Sequence, residues 1–453
     1  MANDQGELVV KPFSAYLPVA ITAVVLALVP GALVTSCMSI FFPLLAQRFS
    51  VNVSQITVYY TIGGLLMAFA GPAIGRFCQK FDIRAVAATL LILIALGYFM
   101  MAAATSYVVL VVAGSIMLPC AMLTIGMVNP TIINRWFKDR AGALIGFAAA
   151  FTGVGGVIFI QVDQAIISSA GYQMAFVANA LFILIIALPC VAFLIKSKPS
   201  DKGMLPYVKV GNEKQSAEAQ DAEALKKAEA RNWSVDPKIA TRSGAFWILC
   251  IGVALSNTTV MIAQFFPTYV NSLANSGVTA FVTGATLATF TMAGQAICKF
   301  ILGAGSDFSP KKTILASSAI GVVAVLCIWL SPTTALLPIG GLIFGMFYAT
   351  PIVLMPLVAG TIFGTGDNYS VIWGRTMLPS GILASPAGVL WPWISENFGG
   401  FGAVFGIGIV CIVVFAILMF LALRLGKKLP HEEGTIKAAE AMKEREAQAA
   451  AAD

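Results

Sequence analysis

Charge is what this chain has least of. Of its 453 residues only 11% are Asp, Glu, Lys or Arg, against about 25% in an average soluble domain. There is one histidine, His431, in a charged stretch near the C-terminus, which excludes a histidine metal site or a histidine proton relay in the interior. The eight cysteines (Cys37, Cys78, Cys120, Cys190, Cys250, Cys298, Cys327 and Cys411) are scattered through apolar segments without metal-ligand spacing. They read as small apolar residues, not as disulfides or ligands. No phosphate-cradling glycine loop and no nucleophile beside a base can be found, so an enzyme is not expected and no cofactor is implied. The opening MANDQGELVVKPF carries no basic cluster ahead of the first apolar run, which is therefore expected to be a permanent span and not a cleaved signal.

What is present is apolar: 58% of the residues are hydrophobic and the mean hydropathy is +0.88. Apolar stretches of about 20 residues recur, each long enough to cross roughly 30 Å of hydrocarbon as a helix. The spans are placed at 16–46, 54–76, 83–104, 107–133, 140–167 and 172–196, then 243–272, 278–305, 312–331, 334–361, 368–394 and 400–424. The expected fold is an all-α membrane protein with about twelve transmembrane helices in two six-helix bundles. The bundles are 1–197 and 243–426. Between them lies a linker, 198–242, rich in Ala, Glu and Lys, and after them a tail, 427–453. Both of these segments are expected to be solvated and dispensable for transport, because their composition cannot bury a core.

The net charge of +7 could suggest nucleic acid, but its distribution points elsewhere. Of 28 Lys and Arg, only Arg48 falls in an outer loop and only Lys299 and Arg375 fall deep in a span, which leaves 25 in alternate loops and the two ends. That is the positive-inside pattern of a multi-pass protein of the cell membrane with both termini cytoplasmic. The partners implied are the lipid bilayer and a small solute, with no nucleic acid, and the chain is expected to work as a monomer.

A glycine followed by a charged turn recurs at the inner end of the second helix of each half. The first copy runs from Gly75 through Lys80 to Arg84, and the second from Gly303 through Asp307 to Lys311 and Lys312. These segments resemble the loop motif of the major facilitator superfamily: a Gly, three residues, an Asp, then basic residues. The first copy departs from it, with Gln79 at the Asp position. The resemblance implies that the motif steers helix sliding between inward-open and outward-open states. Within the superfamily, the chain resembles the monocarboxylate porter and oxalate:formate antiporter group. Three stretches carry this: Ser39 to Arg84, Asn134 to Ile158 and Cys298 to Asp307.

A charge at the centre of a spanning helix costs about 2.5 to 3.5 kcal/mol, so such residues usually face a cavity or a partner. Lys299 precedes Asp307 by eight residues and Arg375 follows Asp367 by eight, which at 1.5 Å per residue puts each about 12 Å deep. Gly284, Ala288, Thr291, Gln295 and Lys299 recur at steps of three or four, which keeps them on one face of the eighth helix. In the group this chain resembles, a cation four residues before the motif Gly binds the substrate carboxylate, and Lys299 holds that position. The oxalate carrier adds a cation on its eleventh helix, which Arg375 matches in region. Aromatics on the tenth and eleventh helices line its cavity, and here those are Tyr348 and Trp373. The alternative is that Lys299 snorkels to the inner surface and Arg375 bonds helix-end carbonyls.

Proton-coupled members of the group carry an acid one turn before that cation, where this chain has Gln295, which cannot titrate. Asp163, the one acid well inside an apolar run, is expected near the outer surface, solvated or at a gate. Tyr59, Tyr60, Asn129, Gln161, Asn257 and Gln264 could line a cavity, but each also suits packing or interhelix hydrogen bonding. Gly142, Gly146, Gly153, Gly155 and Gly156 permit close packing of the fifth helix. The expectation drawn from all this is a carrier of a small organic anion, a mono- or dicarboxylate, working by exchange or facilitated transport. Its alternatives are an exporter of an amphipathic or hydrophobic compound and a proton-coupled monocarboxylate symporter.

Overall fold

The computed structural model describes residues 12–137, 141–207, 234–304, 309–364 and 368–429. These residues are helical, with only two isolated backbone bridges. Twelve long helical segments follow one another: α1 (17–49), α2 (53–80), α3 (Ile83–Ala102), α4 (Tyr107–Trp136), α5 (141–170), α6 (172–194), α7 (Gly244–Asn275), α8 (Gly284–Ala304), α9 (Pro310–Leu330), α10 (Leu336–Phe363), α11 (369–397) and α12 (Phe401–Gly426). The chain runs helically through the junction of α5 and α6 and turns at Gly171, whose φ of 84° is open to glycine and strained for other residues.

Local sequence sets where the spans begin and bend. Asp82 accepts from the Arg84 amide at 2.9 Å and Ser106 from the Val108 amide at 3.3 Å, which caps α3 and α4. Ser243 caps α7 through the Phe246 amide at 3.2 Å. Pro30 lies inside a π-turn, Ala27–Gly31, and Cys37–Ile40 is a 3-10 stretch, so α1 is broken twice. Broken helices at membrane depth are tolerated where neighbouring protein satisfies the freed backbone.

The apolar core shows how the halves sit. One contiguous cluster takes in the first half together with the α7–α8, α9–α10 and α11–α12 ends of the second, including Phe42, Phe265, Met292, Phe344 and Trp391. A second cluster, with Phe246, Met355, Phe363 and Met419, lies at the linker end of the second half alone. The halves therefore share a core at the face opposite the linker, here the far face, and keep separate cores at the linker face. Bonds between α2 and α11 agree: Thr61 donates to the Ser385 carbonyl at 3.0 Å and Ser54 N–H to Glu396 at 3.0 Å, both toward the far face. A Cβ added at Gly126 in α4 or at Gly374 in α11 would meet no atom within 4 Å. With their apolar cores separate there, the halves part toward the linker face.

The ends of the linker are not free in solvent, contrary to the composition. Tyr207 N–H donates to the Trp136 carbonyl at 2.8 Å, and the Tyr16 hydroxyl donates to the Leu205 carbonyl at 2.6 Å. On the other side Val235 N–H donates to the Phe363 carbonyl at 2.9 Å, and Val235 is fully buried. Aromatic rings (Phe13, Tyr16, Phe137, Tyr207) and the short helix Pro237–Arg242 give these ends apolar contacts that an average over the whole linker composition conceals. The tail from residue 430 lies outside the described residues.

Candidate functional site

The seam between the halves that carries Lys299 is made by glycine. A Cβ at Gly153 of α5 would lie 2.8 Å from both the Ala296 nitrogen and the Met292 carbonyl of α8, and one at Gly156 would lie 2.6 Å from Met292 Cγ. Without side chains at these points the two backbones close on each other. This approach buries Lys299 to 2% exposure, and its Nζ donates to Thr152 Oγ1 at 2.8 Å and to the Ala149 carbonyl at 3.4 Å. Both partners belong to α5, so the ammonium joins the two halves. No carboxylate pairs with it among the described residues, where the one ion pair is Arg84 with Asp82 at 2.7 Å.

One turn earlier on α8, Gln295 is 3% exposed and its Oε1 has no hydrogen-bond partner. Nearer the far face, Gln264 of α7 donates through Nε2 to the Thr35 carbonyl of α1 at 2.7 Å and to the Tyr348 hydroxyl of α10 at 3.2 Å. The Gln264 Oε1 is unpartnered, as are the hydroxyls of Tyr59 and Tyr60, which stack on each other at 4.5 Å and pack against Phe42. The interface between the halves thus offers one buried cation and several unpaired polar atoms. Such atoms cost free energy until something bonds them.

Arg375 is not part of this arrangement. Its side chain is exposed and Nη1 donates to the Pro237 carbonyl at 3.1 Å, so it bonds the start of the short helix that precedes α7. The expectation that Lys299 and Arg375 converge near the midplane fails because 368 and the linker end at 234–237 fold together, as in the bond from Asn368 N–H to Ser234 Oγ at 3.3 Å, and this holds the start of α11 at the linker face. Trp373 is half-buried against the linker-end core of the second half, also away from Lys299. Of the loop motif, Gly75 and Gly303 lie within α2 and α8, Lys80 ends α2, and Lys311 and Lys312 are exposed at the start of α9. Arg84 grips Asp82 through two nitrogens. Asp307 lies outside the described residues.

Asp163 corrects a further expectation. It is fully buried, and one carboxylate oxygen accepts from Asn179 Nδ2 of α6 at 3.2 Å. The helix runs on for eight residues, about 12 Å, to the turn at Gly171, so Asp163 lies deeper than expected, and its side chain points into its own half. Thr152, Asn179 and the Ser54–Glu396 pair were also missed, because nothing in a single sequence says which Ser, Thr or Asn faces a partner.

Twelve helical segments in two bundles, meeting along a polar seam and parting toward one face, define an integral membrane transporter. The model of the Major Facilitator Superfamily matches residues 24–364, and the chain belongs to that superfamily. It is 25% identical over 343 residues, 74% of this chain and 79% of the relative, to the uncharacterized MFS-type transporter YhjX of Escherichia coli (strain K12). Solved structures share the fold. A point mutant of the nucleoside transporter NupG matches with a TM-score of 0.65 at 14% identity, over 90% of this chain and 99% of its own. A bacterial homologue of the human lysosomal transporter Spinster, inward-facing and unoccupied, gives 0.62 at 13%, over 92% and 98%. The human organic anion transporter MFSD10 gives 0.55 at 16%, over 92% and 100%. At these identities the likeness speaks for the fold alone, and the three differ in what they carry. None of them singles out the monocarboxylate group.

Proposed function

We propose that the protein is a secondary transporter of a small organic anion with a single carboxylate, working by alternating access between its two halves in the cell membrane. The observation that carries this reading is Lys299: a cation 2% exposed, at the seam between the halves, without a carboxylate partner among the described residues. Burying an ammonium against only a hydroxyl and a carbonyl is unfavourable, and an anion is the counter-charge that would relieve it. Gln295 and Tyr348 are the neighbouring groups proposed to bond the rest of the solute. One buried cation, with Arg375 and Trp373 at the linker-face end, supports a monocarboxylate over a dicarboxylate clamped by two cations. The basic residues gathered on the linker face support a cytoplasmic placement of both termini.

Counterflow of labelled carboxylates into liposomes carrying the purified protein tests this. A charge-assisted hydrogen bond contributes about 1.5 to 3 kcal/mol, so Lys299→Ala should weaken anion affinity by about ten- to more than a hundredfold. Arg375→Ala should change affinity by less than about threefold, its guanidinium being exposed. Near-normal affinity in Lys299→Ala, or counterflow of uncharged amphipathic compounds in place of carboxylates, would move the exporter reading ahead.

A further inference from the structure

The first half buries a carboxyl that the anion site does not use. Asp163 lies eight residues before the turn at Gly171, about 12 Å from the far-face end of α5, and is fully buried. Asn179 Nδ2 donates to its Oδ2 at 3.2 Å. Two polar atoms of this pair remain without partners: Asp163 Oδ1 and Asn179 Oδ1. Both are acceptors if the carboxyl is ionised, so the pair as an anion leaves two buried acceptors facing no donor. A protonated carboxyl is a donor. Adding one proton to Asp163 allows an acid–amide pair, in which the carboxyl O–H donates to the Asn179 carbonyl while the amide N–H donates to the carboxyl C=O.

Among the described residues no charge lies close enough to favour the ionised form. From α1 and α3, the ionisable groups within electrostatic reach are Cys37 and Tyr98, whose hydroxyl is itself unpartnered. From α6 the facing polar group is Asn179, an amide that carries no charge. The cation on α8, Lys299, is bonded to Thr152, eleven residues or about 16 Å away along α5. Arg48 on α1 is exposed near the far face, and Arg84 on α3 is held by Asp82 at the linker face.

The geometry points to Asp163 and Asn179 as a proton-binding site whose occupancy stabilises the linker-open state. The connection to the halves runs through α1. Gln264 of the second half bonds the Thr35 carbonyl, and two residues on begins the 3-10 stretch Cys37–Ile40, whose Cys37 lies within electrostatic reach of Asp163. When the far face opens, that bond between the halves is lost, the irregular stretch is freed, and water reaches the carboxyl. Asp163 then gives its proton to water on the far side and is solvated as the anion. The proton returns from the same side before closure. Because the linker-open state holds the proton and the far-open state releases it, linkage makes acid favour linker-open and alkali favour far-open. The inference rests on the transporter reading for its two states and is independent of the solute.

Spin labels at Thr105→Cys and Ser276→Cys, exposed far-face positions of opposite halves, report the populations of full-length protein in nanodiscs, with the half-buried cysteines changed to alanine. Lowering pH from about 8 to about 5 should raise the linker-open to far-open ratio at least about threefold. Asp163→Asn, whose amide can make the same pair without a proton, should hold the ratio near its acid value at every pH. Infrared spectra of the unsubstituted protein should show a protonated carboxyl absorption at neutral pH that Asp163→Asn lacks. A ratio in unsubstituted protein that ignores pH, a variant as pH-sensitive as its parent, or absence of that absorption would each overturn the site. Carboxylate counterflow on the same preparations separates the two readings: its absence beside an intact pH response sinks the anion assignment alone.

Discussion

Opening the far face must break the contact between Ser54 and Glu396, and its contribution can be worked out. Glu396 lies at the far end of α11, and its carboxylate accepts from the Ser54 amide, at 3.0 Å, and from the Ser54 hydroxyl. Ser54 is in the first turn of α2, where amides have no partner within the helix and a negative charge is favoured by the helix dipole. The residues belong to opposite halves, so the whole interaction counts toward the linker-open state and none of it toward the far-open state. Each bond is worth about 0.5 to 1.5 kcal/mol net. Glu396 is exposed, which puts the pair at the low end. About 1 to 2 kcal/mol remains, so Glu396→Ala should shift the population ratio toward far-open by about five- to thirtyfold. The Thr105 and Ser276 label pair reads that shift directly. A change below about twofold, or one toward linker-open, would refute the reasoning, since a contact made in only one of two states must bias the equilibrium between them.

Two further outcomes follow from local geometry. Gly153→Ala places a Cβ 2.9 Å from that of Ala296 across the seam; relieving it should cost about 1 to 3 kcal/mol and part α5 from α8, seen as a broadened distance distribution between labels on the two helices, and an unaltered distribution would contradict it. Asp82→Ala removes the cap of α3 and should cost about 1 kcal/mol in thermal unfolding. The hydrogen-bonded Arg84 holds the Asp82 carboxyl below the usual carboxylate range. The contribution is therefore present at neutral pH and lost as pH falls through that depressed value, so the difference between parent and variant should shrink in acid.

Much of the architecture is legible in the chain because the bilayer leaves few options: about 20 apolar residues in a row must become a helix whose backbone bonds itself. The succession of apolar helices and the burial of Lys299 follow from hydropathy and position along a helix. The glycines of the fifth helix likewise announce close packing, realised at Gly153 and Gly156 against α8. What a linear reading does not contain is which way a side chain turns about its helix and what stands opposite. Depth along α11 suggested a midplane Arg375, yet the fold of the linker end onto residue 368 draws it to the Pro237 carbonyl. Depth along α5 put Asp163 near the far surface, yet the helix runs on eight residues past it to Gly171 and its side chain turns inward onto Asn179. The pairing of Lys299 with Thr152, of Gln264 with Thr35 and of Ser54 with Glu396 joins residues more than 140 positions apart. The sequence by itself determined the elements and their insertion, because those depend on local chemistry and the solvent. Only the tertiary structure decided the partners, because they depend on how two bundles rotate and close on each other.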